Sequence, residues 1–114
     1  MRAELASDGV LIANEVKEAK SFMARLRGLM YKKDLPSGEA LLIKPCDSIH
    51  TFGMRFAIDV LFIDSAGTIL RAVHSLKPGK VIGPVRKAIA VLEMISGSLP
   101  GEIELEGKTV RFSS

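Results

Sequence analysis

The chain has 114 residues, of which 47% are hydrophobic and 5% aromatic, and its formal net charge is +3 at pH 7. This length predicts a single domain over residues 1–114, and the one cysteine excludes an internal disulfide. The scattered basic residues do not predict nucleic-acid binding. No apolar run reaches transmembrane or secretory length, so the sequence predicts no membrane span and a cytoplasmic location.

The first third of the chain predicts one strand and one short helix. The apolar run Gly9–Ala13 is typical of a strand. Apolar side chains then recur at helical spacing, at Phe22, Leu26, Leu29 and Met30. Ser21 precedes them as a suitable N-cap. Gly28 predicts that the helix ends near it, or that backbone packs closely over it.

Beyond a predicted turn at 36–38, the pattern becomes that of short strands. Predicted strands cover Ala40–Ile43, Ser48–Met54, Ala57–Ile63, Thr68–Val73 and Ala88–Ile95, and residues 102–112 predict a last hairpin. The segment 76–85 predicts a loop or a broken edge strand because it contains prolines and glycines. Together they predict a mainly β fold, a small β-barrel or sandwich of about seven short, mostly antiparallel strands with one or two short helices at its edge.

Three segments share their order with a known family. They are Gly28-Leu29-Met30, the stretch from Ser48 to Asp64, and Val91-Leu92-Glu93 with a later glycine. In this order they resemble the bacterial and archaeal domain of unknown function numbered 192, also catalogued as uncharacterised protein family 0127. The resemblance covers nearly the whole chain. It implies a small β-barrel or sandwich with short helices at its edge, and it implies no established activity.

The central segment departs from the commoner form of that family. The commoner form has a tryptophan and an asparagine, as in Phe-Trp-Met-Lys-Asn-Thr. The corresponding stretch of this chain runs from His50 to Phe56 and has neither residue. A site formed by the commoner residues would therefore be altered here.

Asp59 interrupts an apolar strand, and alternation places it on the same face as Leu61 and Ile63. A carboxylate buried there is costly unless it is hydrogen-bonded or paired. Asp59 is therefore either a structural anchor that accepts amides from the 53–56 turn, or a carboxylate with a shifted pKa at a pocket. Arg55 and His50 are close enough in sequence to be its partners.

The other reactive side chains indicate no metal or cofactor. His50 alternates with apolar residues and is most simply a hydrogen-bonded core histidine. Nothing in the spacing favours a metal site built from His50, His74, Asp59 and Cys46. We expect Cys46 to be a small, inert side chain.

Glu93 is a second charge in an apolar strand. If that strand pairs with Ala57–Ile63, Glu93 and Asp59 could converge, either as an acid–base pair or as a pair kept apart by Arg55. The preferred interpretation is an outward-facing Glu93 or a salt bridge.

These features favour a non-catalytic module that binds a small molecule or a peptide. Its candidate ligand-binding residues are His50, Arg55, Asp59 and Glu93, and no catalytic residue is assigned. One alternative is a protein interaction module that uses a sheet edge. The other is an acid/base enzyme centred on Asp59, with Glu93 or His50 as its partner.

Overall fold

The structure is a computed structural model that describes residues 1–21, 24–25, 28–29 and 32–114. Within those ranges ten strands form three sheets. In chain order they are β1 (Arg2–Leu5), β2 (Leu11–Ala13), β3 (Glu15–Ala19), β4 (Glu39–Ile43), β5 (Ile49–His50), β6 (Ile58–Ile63), β7 (Ile69–Leu76), β8 (Val81–Ile82), β9 (Ala90–Ile95) and β10 (Val110–Ser113). The predicted mainly β fold is confirmed.

The largest sheet has five strands in the order β3-β4-β9-β6-β7. Its strands pair antiparallel except for β3 and β4, which are parallel. A three-stranded sheet, β10-β1-β2, packs against one face, and the pair β5-β8 lies over the other. The described strands therefore form a sandwich and not a closed barrel.

Strand β6 shows that the five-stranded sheet is covered on both faces. All six of its residues are buried, so its sequence is apolar throughout except at Asp59. Leu61 and Ile63 point towards the three-stranded sheet, whereas Val60 and Phe62 point towards β5 and β8. Each large aliphatic side chain buried in this way stabilises the fold by about 1.5–3 kcal/mol.

Thr51 fastens the β5-β8 layer to the loop that precedes β8. Its side chain is fully buried, and its Oγ1 donates a hydrogen bond to the carbonyl of Lys77 at 2.7 Å. The same oxygen accepts the amide of Lys80 at 2.8 Å. A buried hydroxyl with both functions satisfied fixes the position of the short strand β5.

The predicted helix is only partly within the described residues. Residues 24–25 are helical, and the hydroxyl of Ser21 accepts the amide of Ala24 at 2.9 Å, which confirms the predicted cap. Gly28 has a φ of +55°, a left-handed conformation common where helices end. Leu29 is buried in the core, but Phe22, Leu26 and Met30 lie outside the described residues.

Two sequence-based assignments at the chain ends were wrong. The N-terminal region forms three strands, because Arg2–Leu5 and Glu15–Ala19 pair with neighbours although they carry charges on their exposed sides. The predicted hairpin at 102–112 does not form. Its last part is β10, which pairs with β1 at the other end of the chain.

The described residues contain no helix with the length and hydropathy needed to cross a bilayer.

Candidate functional site

A cavity of about 540 Å³ lies between the five-stranded sheet and the β5-β8 layer. Its apolar lining comes from Ile43, Pro45, Ile49, Met54 and Val81, and its polar lining from Arg25, Cys46, Ser48, His50 and Glu93, with Gly28 beside them. Small-molecule sites in proteins commonly have volumes of about 300–1,000 Å³ and mostly apolar walls with a few polar groups. The cavity therefore has the size and lining of a ligand site.

Glu93 forms part of the floor of this cavity. It lies on β9, the middle strand of the five, and is paired with Leu41 on one side and Val60 on the other. Paired residues of neighbouring strands share a face, so two aliphatic side chains flank the carboxylate. Glu93 is only 1% exposed, and the predicted outward orientation is wrong.

The Glu93 carboxylate is incompletely hydrogen-bonded. Its Oε1 atom is buried and has no hydrogen-bond partner among the described residues. Burial in this apolar setting raises the pKa of Glu93 to about 8, because the charged form loses its hydration. A carboxyl group of this kind is largely protonated at neutral pH, because burying its charged form without a partner would cost much more than burying its neutral form.

Gly28 leaves open the space next to that carboxylate. A Cβ placed on Gly28 would lie 3.3 Å from Oε1 of Glu93 and 3.7 Å from Cδ1 of Ile43. Both residues line the cavity. A side chain at position 28 would therefore narrow the approach to the carboxylate, and the positive φ of Gly28 also favours glycine there.

His50 stands on the opposite wall, on β5, where it pairs with Val81 of β8. Its ring stacks on Phe52 with the ring centroids 5.7 Å apart and the planes 25° from parallel. The Nδ1 atom is buried and has no hydrogen-bond partner within the described part of the chain. Phe52 and Val81 are both more than half exposed, so an apolar lip lies beside the imidazole.

Cys46 also lines the cavity, but its thiol is held in a protonated form. The Sγ atom donates a hydrogen bond to the carbonyl of Ser48 at 3.0 Å. Partial burial raises the pKa of the thiol, and the nearby carboxylate of Glu93 acts in the same direction. These surroundings favour the thiol over the reactive thiolate.

Asp59 lies on the other face of the same sheet. In the β6–β9 register it pairs with Met94, whereas Glu93 pairs with Val60. Successive residues of a strand point to opposite faces, so the two carboxylates are separated by the thickness of the sheet. The two strands do pair, but the convergence of Asp59 and Glu93 that the sequence left open does not occur.

The oxygens of Asp59 accept backbone amides. Oδ1 accepts the amide of Ser75 at 2.8 Å, and Oδ2 accepts those of Gly97 at 3.0 Å and Leu99 at 2.9 Å. These donors belong to the end of β7 and to the loop after β9, and not to the predicted 53–56 turn. Asp59 is fully buried, yet it joins two separate segments to the central strand.

Of the four candidate ligand-binding residues, the structure brings His50 and Glu93 to one cavity. Arg55 is exposed and does not line it, and Asp59 faces the other side of the sheet. Among the described residues, no group of three or more His, Cys, Asp or Glu side chains is arranged to hold a metal ion.

Arg25, Gly28 and Ser48 also line the cavity and were not candidates from the sequence. Ser48 had one available signal, since it lies two residues before His50 in the central segment. Arg25 and Gly28 reach the cavity only because the tertiary fold brings them close to Glu93 of β9, which no local pattern indicates.

Comparison with known proteins identifies the family. The model of the DUF192 family, described as "Uncharacterized ACR", matches residues 3–112. The chain belongs to the DUF192 family. This confirms the resemblance noted in the sequence.

Two relatives of this DUF192 domain come from Pyrococcus species. A UPF0127 protein of Pyrococcus horikoshii is 38% identical over 84 residues, which cover 69% of this chain and 70% of the relative. A UPF0127 protein of Pyrococcus furiosus is 33% identical over 90 residues, covering 75% of each chain. A crystal structure of a protein of unknown function from Novosphingobium aromaticivorans has a TM-score of 0.72 at 17% identity, covering 85% of this chain and 74% of that one. That likeness shows a shared fold alone, and the function is argued from the site.

Proposed function

We propose that this DUF192 domain binds a small molecule in the cavity between the five-stranded sheet and the β5-β8 layer. The observation that carries the proposal is the Glu93 carboxyl group, which is 1% exposed and has no hydrogen-bond partner for Oε1 among the described residues. Buried polar atoms are usually paired, and an unpaired one in a folded protein requires an explanation. A ligand in the cavity supplies the missing partner.

The position of this group supports a binding role over a purely structural one. Asp59, on the other face, fixes loops through amides that its oxygens accept. Oε1 of Glu93 accepts no such bond from the residues that the structure describes, although leaving a buried carboxyl group unsatisfied costs about 1–3 kcal/mol or more. Glu93 therefore destabilises the folded protein at a position where its carboxyl group faces a cavity.

His50 adds a second unpaired polar atom to the same cavity. Its Nδ1 is buried without a partner in the described residues, and its ring is held against Phe52. Two unpaired atoms on facing walls, with aliphatic side chains between them, suit a molecule with polar groups and an apolar body.

Two alternatives have less support. An acid/base enzyme centred on Asp59 would need that carboxylate at a cavity beside Glu93 or His50, and it lies on the other face with its oxygens bound to amides. A sheet-edge interaction module would need a free strand edge, and both edges of the five-stranded sheet are partly occupied. The outer edge of β7 is met by the 106–108 segment at Ile69 and Ala72, and the outer edge of β3 is met by Met1 at Val16.

Thermal unfolding with a panel of small molecules tests the proposal. The panel contains amines, amino acids, carboxylic acids, sugars and nucleosides at millimolar concentration, applied to the wild type, Glu93→Gln and Glu18→Gln. Glu18 is exposed on β3, so its variant makes the same chemical change away from the cavity. We expect at least one compound to raise the unfolding temperature of the wild type and Glu18→Gln, and to raise that of Glu93→Gln less. A flat response of the wild type across the whole panel would contradict the proposal.

A further inference from the structure

We infer that the ligand carries a protonated nitrogen, as in a primary amine or amidine, which the Glu93 carboxylate binds at the cavity floor while an apolar body contacts Ile43, Ile49 and Met54. This inference rests on the proposed binding function and specifies the chemistry of that same site. All four side chains line the cavity, and Ile49 and Met54 are less than a tenth exposed.

The floor of the cavity calls for a hydrogen-bond donor. The neighbours of Glu93 across the sheet, Leu41 and Val60, have side chains that cannot donate. The missing partner must therefore approach from the cavity side, where Gly28 leaves room beside Oε1. An ammonium group has three donors, so it can also serve acceptors on other walls, such as an unprotonated Nδ1 of His50.

A cation fits the floor better than an anion does. Once Glu93 is ionised, its carboxylate is poorly hydrated in the folded protein, so a cation gains an attraction weakened little by solvent. This attraction has to exceed the cost of removing the proton of Glu93 and the hydration of the cation. An anion can occupy the same place only while Glu93 is protonated, and the carboxyl group then offers it a single O–H donor. The cavity therefore combines apolar side chains with a hydrogen-bond acceptor that has lost its hydration. This combination complements an amine attached to a hydrophobic group.

The charged and titratable groups around Glu93 include one cation, Arg25, whose charge works against a cationic ligand. Within the described residues these groups are Arg25 from the helical residues 24–25, Cys46 from the segment before β5, and His50 from β5. Arg25 is half-buried, so solvent screens its charge more than that of Glu93. The Cys46 thiol is neutral because burial raises its pKa.

Binding of a cation is expected to release a proton. Burial raises the pKa of Glu93 to about 8, so at pH 7 the free protein holds this proton in most molecules. Pairing with a cation requires the ionised form, and about 0.9 proton should be released per ligand bound at pH 7. The apparent affinity should then rise about tenfold between pH 6 and pH 7, as long as the amine stays protonated.

Three probes that share a benzene ring and differ in their polar group test whether the cavity prefers a cation. Benzylamine, benzyl alcohol and benzoate are titrated at pH 7.5 into wild type, Glu93→Gln and Glu18→Gln, and the amide signals of Gly28 and Glu93 are followed by NMR. We expect benzylamine to bind the wild type and Glu18→Gln at least about tenfold more tightly than benzyl alcohol does, as suits a hydrogen bond to a charged group. In Glu93→Gln the two should bind within about twofold of each other. Calorimetry in buffers of different ionisation enthalpy then measures the released proton.

Each result that differs from these expectations contradicts one part of the inference. If benzyl alcohol or benzoate binds the wild type as tightly as benzylamine, the cation assignment is wrong and the proposed binding function stands. If the benzylamine preference survives in Glu93→Gln, another group recognises the amine and the assignment to Glu93 is wrong. If no probe shifts the Gly28 and Glu93 signals, the inference fails, and the wider panel decides whether the proposed function fails with it.

Discussion

Two buried carboxyl groups lie on opposite faces of the same sheet and are treated differently by the fold. Asp59 accepts amides from the end of β7 and from the loop after β9, whereas Oε1 of Glu93 has no partner among the described residues. Both are at most 1% exposed. The contrast shows that burial alone does not indicate what a charged residue does, because hydrogen-bond satisfaction separates an anchor from a candidate binding group.

The largest expected effect concerns the satisfied carboxylate. We expect Asp59→Ala to lower the free energy of unfolding by about 5 kcal/mol and Asp59→Asn by about 3 kcal/mol. Alanine leaves the amides of Ser75, Gly97 and Leu99 without an acceptor, whereas asparagine retains one acceptor oxygen. Urea unfolding followed by circular dichroism measures both values. A loss below about 1 kcal/mol for Asp59→Ala would contradict the anchoring role.

The second effect is a decline of the free energy of unfolding with rising pH, which we expect from the raised pKa of Glu93. Burial raises the pKa of Glu93 from 4.5 to about 8. Between these values the unfolded chain has lost the proton and the folded chain still holds it, so the folded state becomes less stable as pH rises through that window. The free energy of unfolding should fall by up to about 5 kcal/mol from this group and level off above pH 8.

Glu93→Gln isolates that contribution. Glutamine has nearly the same shape and no titrating proton, so its stability should lack this decline. Relative to the wild type, the variant should gain stability as pH rises from 5 to 8, as measured by urea unfolding at a series of pH values. Parallel pH profiles for the wild type and Glu93→Gln would be incompatible with a raised pKa at Glu93.

Thr51 offers an intermediate case, a neutral buried group with both functions used. We expect Thr51→Val to cost about 2 kcal/mol, because the carbonyl of Lys77 and the amide of Lys80 lose their partner. Thr51→Ser keeps the hydroxyl and should cost less than half as much. Because Thr51 holds β5 in place, Thr51→Val should also weaken ligand binding at the cavity. Equal stability losses for the two variants would show that the methyl group of Thr51 contributes as much as its hydroxyl, contrary to this account.

The smallest expected effect concerns Gly28, which leaves space beside the carboxyl group of Glu93. Gly28→Ala should cost about 1 kcal/mol, since its φ of +55° disfavours residues with a Cβ. Gly9→Ala is a matched control, because Gly9 has a φ of +72° and nothing within 4 Å of the added Cβ. Both should lose similar stability, but only Gly28→Ala should weaken benzylamine binding, measured by NMR titration. Equal affinities for the two variants would show that position 28 does not control access.

Local alternation was sufficient to predict the strand 58–63 and the burial of Asp59, because both depend on neighbours within one segment. The separation of Asp59 from Glu93 could not be predicted in the same way. It depends on the register of β6 and β9, where a shift of one residue would exchange the two faces.

The cavity itself was less predictable than the sheet. His50 and Glu93 were candidates because they interrupt apolar patterns. Arg25 and Gly28 are far from both in sequence, and only the tertiary fold places them at the cavity. Strands β1 and β3 were missed for a local reason. Each has only two buried apolar positions, and the charged residues between them leave a weak pattern.

The difference between the two faces is tested most directly by titrating the Glu93 side chain. Following its carboxyl carbon by NMR from pH 4 to pH 10 gives the pKa without any ligand or variant, and Glu93→Gln identifies the signal. Burial without a partner for Oε1 predicts a midpoint near pH 8. A midpoint near the ordinary value of 4.5 would show that the carboxylate is already hydrated or paired in the folded protein, and would contradict the account.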